Sequence, residues 1–92
     1  MLKFVNKVVS VNGRRTSMSM SVSEWSAFDE VCKNEKISKN NLLGLIEKSK
    51  QDKVSLTYST RLFILSYFRH IASFKNKNRR YNLENIINSL QD

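Results

Sequence analysis

The sequence predicts a mainly α chain with a short β-ribbon at its front: strand, helix, short turn, helix, then more helix. Three observations carry this. Asn12-Gly13, the dipeptide most favoured in tight hairpin turns, is flanked on both sides by β-forming residues. The stretch "RRTSMSMS" alternates small hydroxyls with methionines, the period-two pattern of a half-buried strand. From Ser21 onward the apolar residues instead recur at three and four, the helical period.

Taken in order, residues 7–11 and 14–20 read as the two arms of an N-terminal β-hairpin, with Ser17 and Ser19 on one face and Met18 and Met20 on the other. Ser21 followed by Glu24 fits a capping box, so a helix starts at Val22 and ends near Glu35. Its apolar positions are Val22, Trp25, Phe28, Val31 and Cys32, with Glu24, Asp29, Glu30 and Lys33 outside. Ser38 is a second N-cap, before an apolar stripe of Leu42, Leu43, Leu45 and Ile46. Gly44 inside that stripe costs about 1 kcal/mol relative to alanine, which leaves two readings, close approach of another backbone or simple tolerance. A third helix from Thr57 to about Ser73 is apolar nearly all round, the pattern of a central or shared helix. Asn82 then caps a short final helix carrying Leu83, Ile86, Ile87 and Leu90. The chain is expected to be one domain, 1–92, with its strand and paired helices over 13–51, the third helix over 55–74, and a basic segment with a short helix over 75–92.

Composition narrows the function. A 92-residue chain makes at most one domain, and so small a core is marginal unless two copies share it. No apolar run approaches the roughly 20 residues of a membrane span, and "MLKFVNKVV" lacks a signal-peptide pattern, so the cytoplasm is expected. Cys32 is the one cysteine and His70 the one histidine, which leaves no disulfide, no metal ligand set and no cofactor to expect. Nothing resembling a nucleophile, base and orienter surrounds His70, so no enzyme is expected. Trp25, Phe28, Phe63 and Phe68 sit at helical spacing and read as core. Sixteen Lys and Arg against eight Asp and Glu leave +8 and point to an anionic partner. The charge is uneven: Lys3, Lys7, Arg14 and Arg15 have no acid near them in residues 1–20, residues 21–56 are balanced, and residues 57–92 are net +4.

A lone amphipathic strand needs a partner for its edge hydrogen bonds, and in a homodimer that partner can be its own copy. Two such strands would turn Met18 and Met20 onto the helices and lift Arg15, Ser17 and Ser19 into solvent. A two-stranded ribbon of that width fits the major groove of DNA, where Arg14 would pair with a phosphate beside it.

These residues resemble the ribbon-helix-helix family of DNA-binding proteins, and in particular a bacterial branch opening "GRRTSxSxxxxxW", present here from Gly13 to Trp25. The resemblance continues to about Ala72 and includes "SVSEWSAFDEVCKNEKISKNNLLGLIE" and "SLTYSTRLFILSYFR". It implies a ribbon-helix-helix homodimer with added C-terminal helices, in which Arg15, Ser17 and Ser19 contact bases. It also implies that the N-terminus of the second helix, Ser38, Lys39 and Asn40, clamps a phosphate, which agrees with the free amides and dipole there. Val22 in place of a first-turn proline, methionines in place of branched strand residues, and the basic tail depart from the family pattern. The function expected is a sequence-specific transcriptional regulator of double-stranded DNA, a repressor occupying its operator as a dimer or a higher-order assembly. Two alternatives stay open: an accessory protein at a plasmid transfer or partition site, and an antitoxin-like module whose residues 75–92 bind a protein partner.

Overall fold

The computed structural model describes residues 3–75 together with residues 86 and 87. Strand β1 (Phe4–Val11) turns through Asn12-Gly13 into the antiparallel strand β2 (Arg14–Ser21), and helices α1 (Val22–Glu35), α2 (Lys39–Ser49) and α3 (Leu56–Lys75) follow. The expected basic segment and final helix lie outside the described residues, apart from Ile86 and Ile87, which are buried.

Both turn residues have positive φ, 50° at Asn12 and 82° at Gly13, as a two-residue type I′ hairpin loop requires. That loop makes Val11 and Arg14 the closing pair and fixes the ladder from there down to Phe4 opposite Ser21. Within the chain β2 is thus paired along one edge by β1, which starts at Phe4 and is longer than the hairpin pattern alone suggests. Met18, Met20, Val9 and Val11 face the core and are almost wholly buried, while Ser17, Ser19 and Arg15 are exposed.

At the strand-to-helix junction the capping box forms. The Glu24 amide donates to Ser21 Oγ at 3.1 Å, and the Ser21 amide donates to Glu24 Oε1 at 2.9 Å. Arg61 of α3 donates through Nε to the other Glu24 oxygen at 2.6 Å, so one carboxylate ties β2, α1 and α3 together. The connection from α1 to α2 closes on Lys36, held left-handed at φ 54°, with the Ile37 amide donating to the Cys32 carbonyl at 3.0 Å.

Helix α3 covers the layer formed by the ribbon, α1 and α2. Phe63 and Tyr67 are fully buried, and Tyr67 Oη donates to Glu35 Oε2 at 2.6 Å. Trp25, Phe28, Val31, Leu42, Leu43 and Ile46 complete the core within one chain. Phe68 packs on it part-buried. Two stripe positions differ from expectation. Val22 is exposed because it is the first helical residue, before the helix has turned toward the core. Leu45 is exposed because it lies about 100° of helix rotation behind Ile46, outside the buried arc. Gly44 is buried by close approach: a Cβ there would meet Asn12 Oδ1 at 2.8 Å, so the hairpin turn seats on α2 where α2 has no side chain. The approaching group is a side chain rather than a backbone. Helix α3 begins at Leu56, with Ser55 Oγ accepting from the Tyr58 amide at 3.0 Å.

Two of the three left-handed positions, Gly13 and Lys36, carry opposite expectations. A Cβ at Gly13 meets nothing within 4 Å, so Gly13→Ala acts on backbone strain alone and is expected to cost about 1 kcal/mol. Lys36→Gly is expected to stabilise by up to about 1 kcal/mol, because it relieves that strain. Thermal midpoints about 4–8 °C lower and higher, respectively, are the readout for a chain of this size.

Burial pushes the Glu24 carboxyl up, but the hydrogen bond from the Ser21 amide, Arg61 and the Ser21 hydroxyl outweigh it, and its pKa lies below the ordinary 4.5. A depressed carboxylate contributes stability above its unfolded pKa and loses it as pH falls through the folded one. Glu24→Gln keeps an oxygen for the Ser21 amide but loses the charge that pairs with Arg61, and is therefore expected to cost about 0.5–1 kcal/mol near neutral pH, the size of a part-exposed ion pair. The gap to wild type should close as the pH of the melts is lowered below 4.5. A gap that is constant with pH would show that the charge is not what the junction uses.

Candidate nucleic-acid interface

The register decides what the outer face of the ribbon carries. The closing pair Val11 and Arg14 exchanges both backbone hydrogen bonds, as does every second pair below it. The Val22 amide continues that parity by donating to the Lys3 carbonyl at 3.2 Å. The pairs between them, Ser10 with Arg15, Val8 with Ser17 and Asn6 with Ser19, are the non-hydrogen-bonded ones, whose side chains stand closest together. All six residues are exposed. They form one face, and Arg15, Ser17 and Ser19 are half of it.

Sequence reasoning named the β2 half of this face and did not name Asn6, Val8 and Ser10, which share it. The signal was present in the two-residue turn, since a closing pair at Val11 and Arg14 fixes every later pair by counting outward. Asn6 is held over the face by donating from Nδ2 to Ser17 Oγ at 3.1 Å. Along its other edge β2 points the N–H and C=O groups of Arg15, Ser17 and Ser19 away from β1, and the sheet has no third strand among the described residues.

The expected phosphate clamp stands beside β1. Ser38 caps α2, accepting from the Asn41 amide at 3.1 Å, and the amides of Lys39 and Asn40 have no acceptor within the helix. Asn40 Oδ1 accepts from the Ser10 amide at 3.4 Å, and Ser10 is the ladder partner of Arg15. The base-facing and phosphate-facing candidates are thus joined across one strand. The Lys39 ammonium does not stand over its own helix end. It lies 3.7 Å from Asp29 and 5.5 Å from the Trp25 ring centre. Ser38 Oγ, Asn40 Oδ1 and the Lys39 ammonium all have partners within the protein, so an anion at this end would meet main-chain amides first.

Trp25 anchors the ribbon to α1. Its Nε1 donates to the Val5 carbonyl at 2.8 Å, and Lys7 Nζ lies 5.0 Å from its ring centre. Arg14 and Arg15 are exposed beside the turn. A shallow cleft between that turn and α2, lined by Ser10, Asn12, Asn40, Asn41 and Lys48, continues the polar surface.

Other titratable groups are placed for structure. Burial, with Asp29 beside it, pushes the half-buried Cys32 thiol up from its ordinary value. His70 Nδ1 lies 2.8 Å from the Ser66 carbonyl one turn back on its own helix. Among the described residues no group of three or more His, Cys, Asp or Glu could hold a metal ion, and no helix is long and apolar enough to cross a membrane.

Neither the curated proteins nor the solved structures include a match to this chain. A family model does match: that of the ribbon-helix-helix domain, over residues 4–68, from the first residue of β1 into α3. With more than half of its length matched and with a ribbon followed by helices in the order that domain requires, the chain belongs to the ribbon-helix-helix family of DNA-binding domains.

Proposed function

We propose that this protein is a sequence-specific regulator of transcription that acts as a repressor, occupying an operator in double-stranded DNA as a cytoplasmic homodimer. The observation that carries the reading is the ribbon's outer face. It is polar apart from Val8, stands clear of the core, and places Arg15 at one end with Ser17 and Ser19 behind it along the strand. Arg15 is the residue type that makes the commonest specific contact, a bidentate pair with guanine, and the serines accept or donate to several bases. Arg14 and the amide end of α2, with Ser38, Lys39 and Asn40, would hold the flanking phosphates and set the register of the ribbon in the groove. The charge of +8 adds salt-dependent, sequence-blind affinity on top.

β1 covers one edge of β2 and leaves the other open, so two copies would dimerise by pairing their β2 strands along that edge and present a shared ribbon to the groove. Two copies then multiply discrimination across two half-sites, which a small interface needs against a large excess of non-specific DNA.

The test is binding of the purified protein to pooled genomic duplex fragments at physiological salt, beside Arg15→Ala/Ser17→Ala/Ser19→Ala. Wild type is expected to enrich a palindromic or repeated site. The triple variant is expected to keep salt-sensitive binding while losing preference for that site by about tenfold or more, the scale of one good bidentate contact. Equal enrichment by both proteins would remove the ribbon from base reading, and no enrichment by either would remove the function.

A further inference from the structure

The hairpin has two open edges, and the proposed dimer uses only the one on β2. Along β1 the N–H groups of Asn6, Val8 and Ser10 point away from β2, because these residues form the non-hydrogen-bonded pairs. The Ser10 amide is taken by Asn40 Oδ1 at 3.4 Å, so α2 begins on the outer side of β1. The amides of Asn6 and Val8 have no acceptor among the described residues.

Two cations gather beside that edge. Lys7 of β1 places Nζ 5.0 Å from the centre of the Trp25 ring, and Lys39 reaches from the start of α2 to 5.5 Å from the same centre. Trp25 is itself tied to the strand, since its Nε1 donates to the Val5 carbonyl at 2.8 Å. Asp29 is 3.7 Å from the Lys39 ammonium, whereas Lys7 is in no ion pair among the described residues.

Groove width decides what that edge meets. Pairing the β2 strands of two copies sets them about 5 Å apart and sets the two β1 strands about 14 Å apart. The major groove is about 12 Å wide. The β2 pair fits inside it, while each β1 lies at a wall, where DNA offers phosphates rather than base edges.

We infer that the open edge of β1 is a phosphate-binding strand: the amides of Asn6 and Val8, with the Lys7 and Lys39 ammonium groups, hold the DNA backbone along the wall of the groove. The inference rests on the paired-ribbon reading above and adds its flanks. A main-chain amide donates to a phosphate oxygen as a side chain does, and these two are about 7 Å apart along the strand. The carbonyls of Asn6 and Val8 leave the same edge and repel an anion, so the donors alone do not make the site. The two ammonium groups supply the positive charge that outweighs them. Lys39 thus meets a phosphate where its ammonium already stands, rather than over its own helix end.

The experiment takes a duplex site selected from a random pool by the full-length wild type. It then measures binding of wild type, Lys7→Met, Val8→Pro and Val8→Ala to that site over a range of salt concentrations. Lys33→Met, in the last turn of α1, is the control of equal charge. Lys7→Met is expected to lower the slope of log affinity against log salt by about one, and Lys33→Met to leave it unchanged. Proline removes the outward N–H and is tolerated on an edge strand where that N–H faces away from the ladder. Val8→Pro is expected to weaken binding about tenfold on every sequence while keeping the base preferences, and Val8→Ala, which retains the N–H, by less than about twofold. Methylphosphonate linkages neutralise one phosphate at a time and alter the DNA alone, so they decide the point even where a variant folds poorly. Wild type should weaken at phosphates on both walls, and Lys7→Met should be insensitive to at least one of those replacements. If wild type selects a site but Lys7→Met and Val8→Pro keep its affinity and salt slope, and the linkages affect them as they affect wild type, the edge of β1 is left to solvent or to a protein strand. The inference then falls and the regulator reading stands. A changed base preference in Val8→Pro would place β1 inside the groove and overturn the inference as well. If wild type selects nothing, both fall.

Discussion

Everything on the outer surface depends on two positive φ angles, at Asn12 and Gly13. A two-residue I′ loop leaves no freedom in which residues pair, and in a strand a slip of one residue exchanges the faces. With Val11 opposite Arg14, Met18 and Met20 fall on the helices, while Arg15, Ser17 and Ser19 fall in solvent. A slip by one would bury the serines and expose the methionines. The turn is fixed a second time from below, because Asn12 seats against Gly44 and the Ser10 amide against Asn40. The hairpin is therefore held to α2 at its tip and to α1 through Trp25 at its base.

That double attachment lets a small chain close its own core. A ribbon and two helices leave one apolar side open, and here α3 covers it with Phe63, Ile64 and Tyr67. The polar links across this layer lie at its margins. Arg61 reaches Glu24 near the start of α1, and Tyr67 reaches Glu35 at its end. Each link joins a group on α3 to one on α1, so hydrogen bonds set the register of α3 while Phe63, Ile64 and Tyr67 supply its apolar contact, with Ser59 and Thr60 the buried polar side chains of its first turns.

Much of this was legible because it is local. The capping box at Ser21 and Glu24 marks the start of α1 at Val22, and Ser38 marks the start of α2. Asn12-Gly13 marks the hairpin, and the alternation that follows marks the two faces of β2. What was not legible depends on contacts across the fold. The apolar period placed Val22 and Leu45 inside, but period alone cannot say how wide the buried arc is. Gly44 had two explanations until a distant turn supplied the answer. The residues of the α2 amide end were foreseen, but not that the Lys39 ammonium would lean toward Asp29 and Trp25. The β1 half of the outer face was within reach by counting from the turn. It went unnamed because residues 7–11 were placed in the hairpin without counting pairs outward from the turn.

The hairpin leaves one edge of β2 open, and that edge decides what a dimer would add. Arg15, Ser17 and Ser19 point their N–H and C=O groups away from β1, and the sheet has no third strand among the described residues. On the proposed reading a second copy would meet that edge with the same strand, so that β1 braces β2 from one side while the copy completes the surface from the other. A single strand makes few base contacts. With each wrong base costing about 1–3 kcal/mol, a handful of contacts gives only a modest margin over non-specific sites. Pairing two copies would double the residues that face the groove, and association would then be a condition of reading rather than an addition to it.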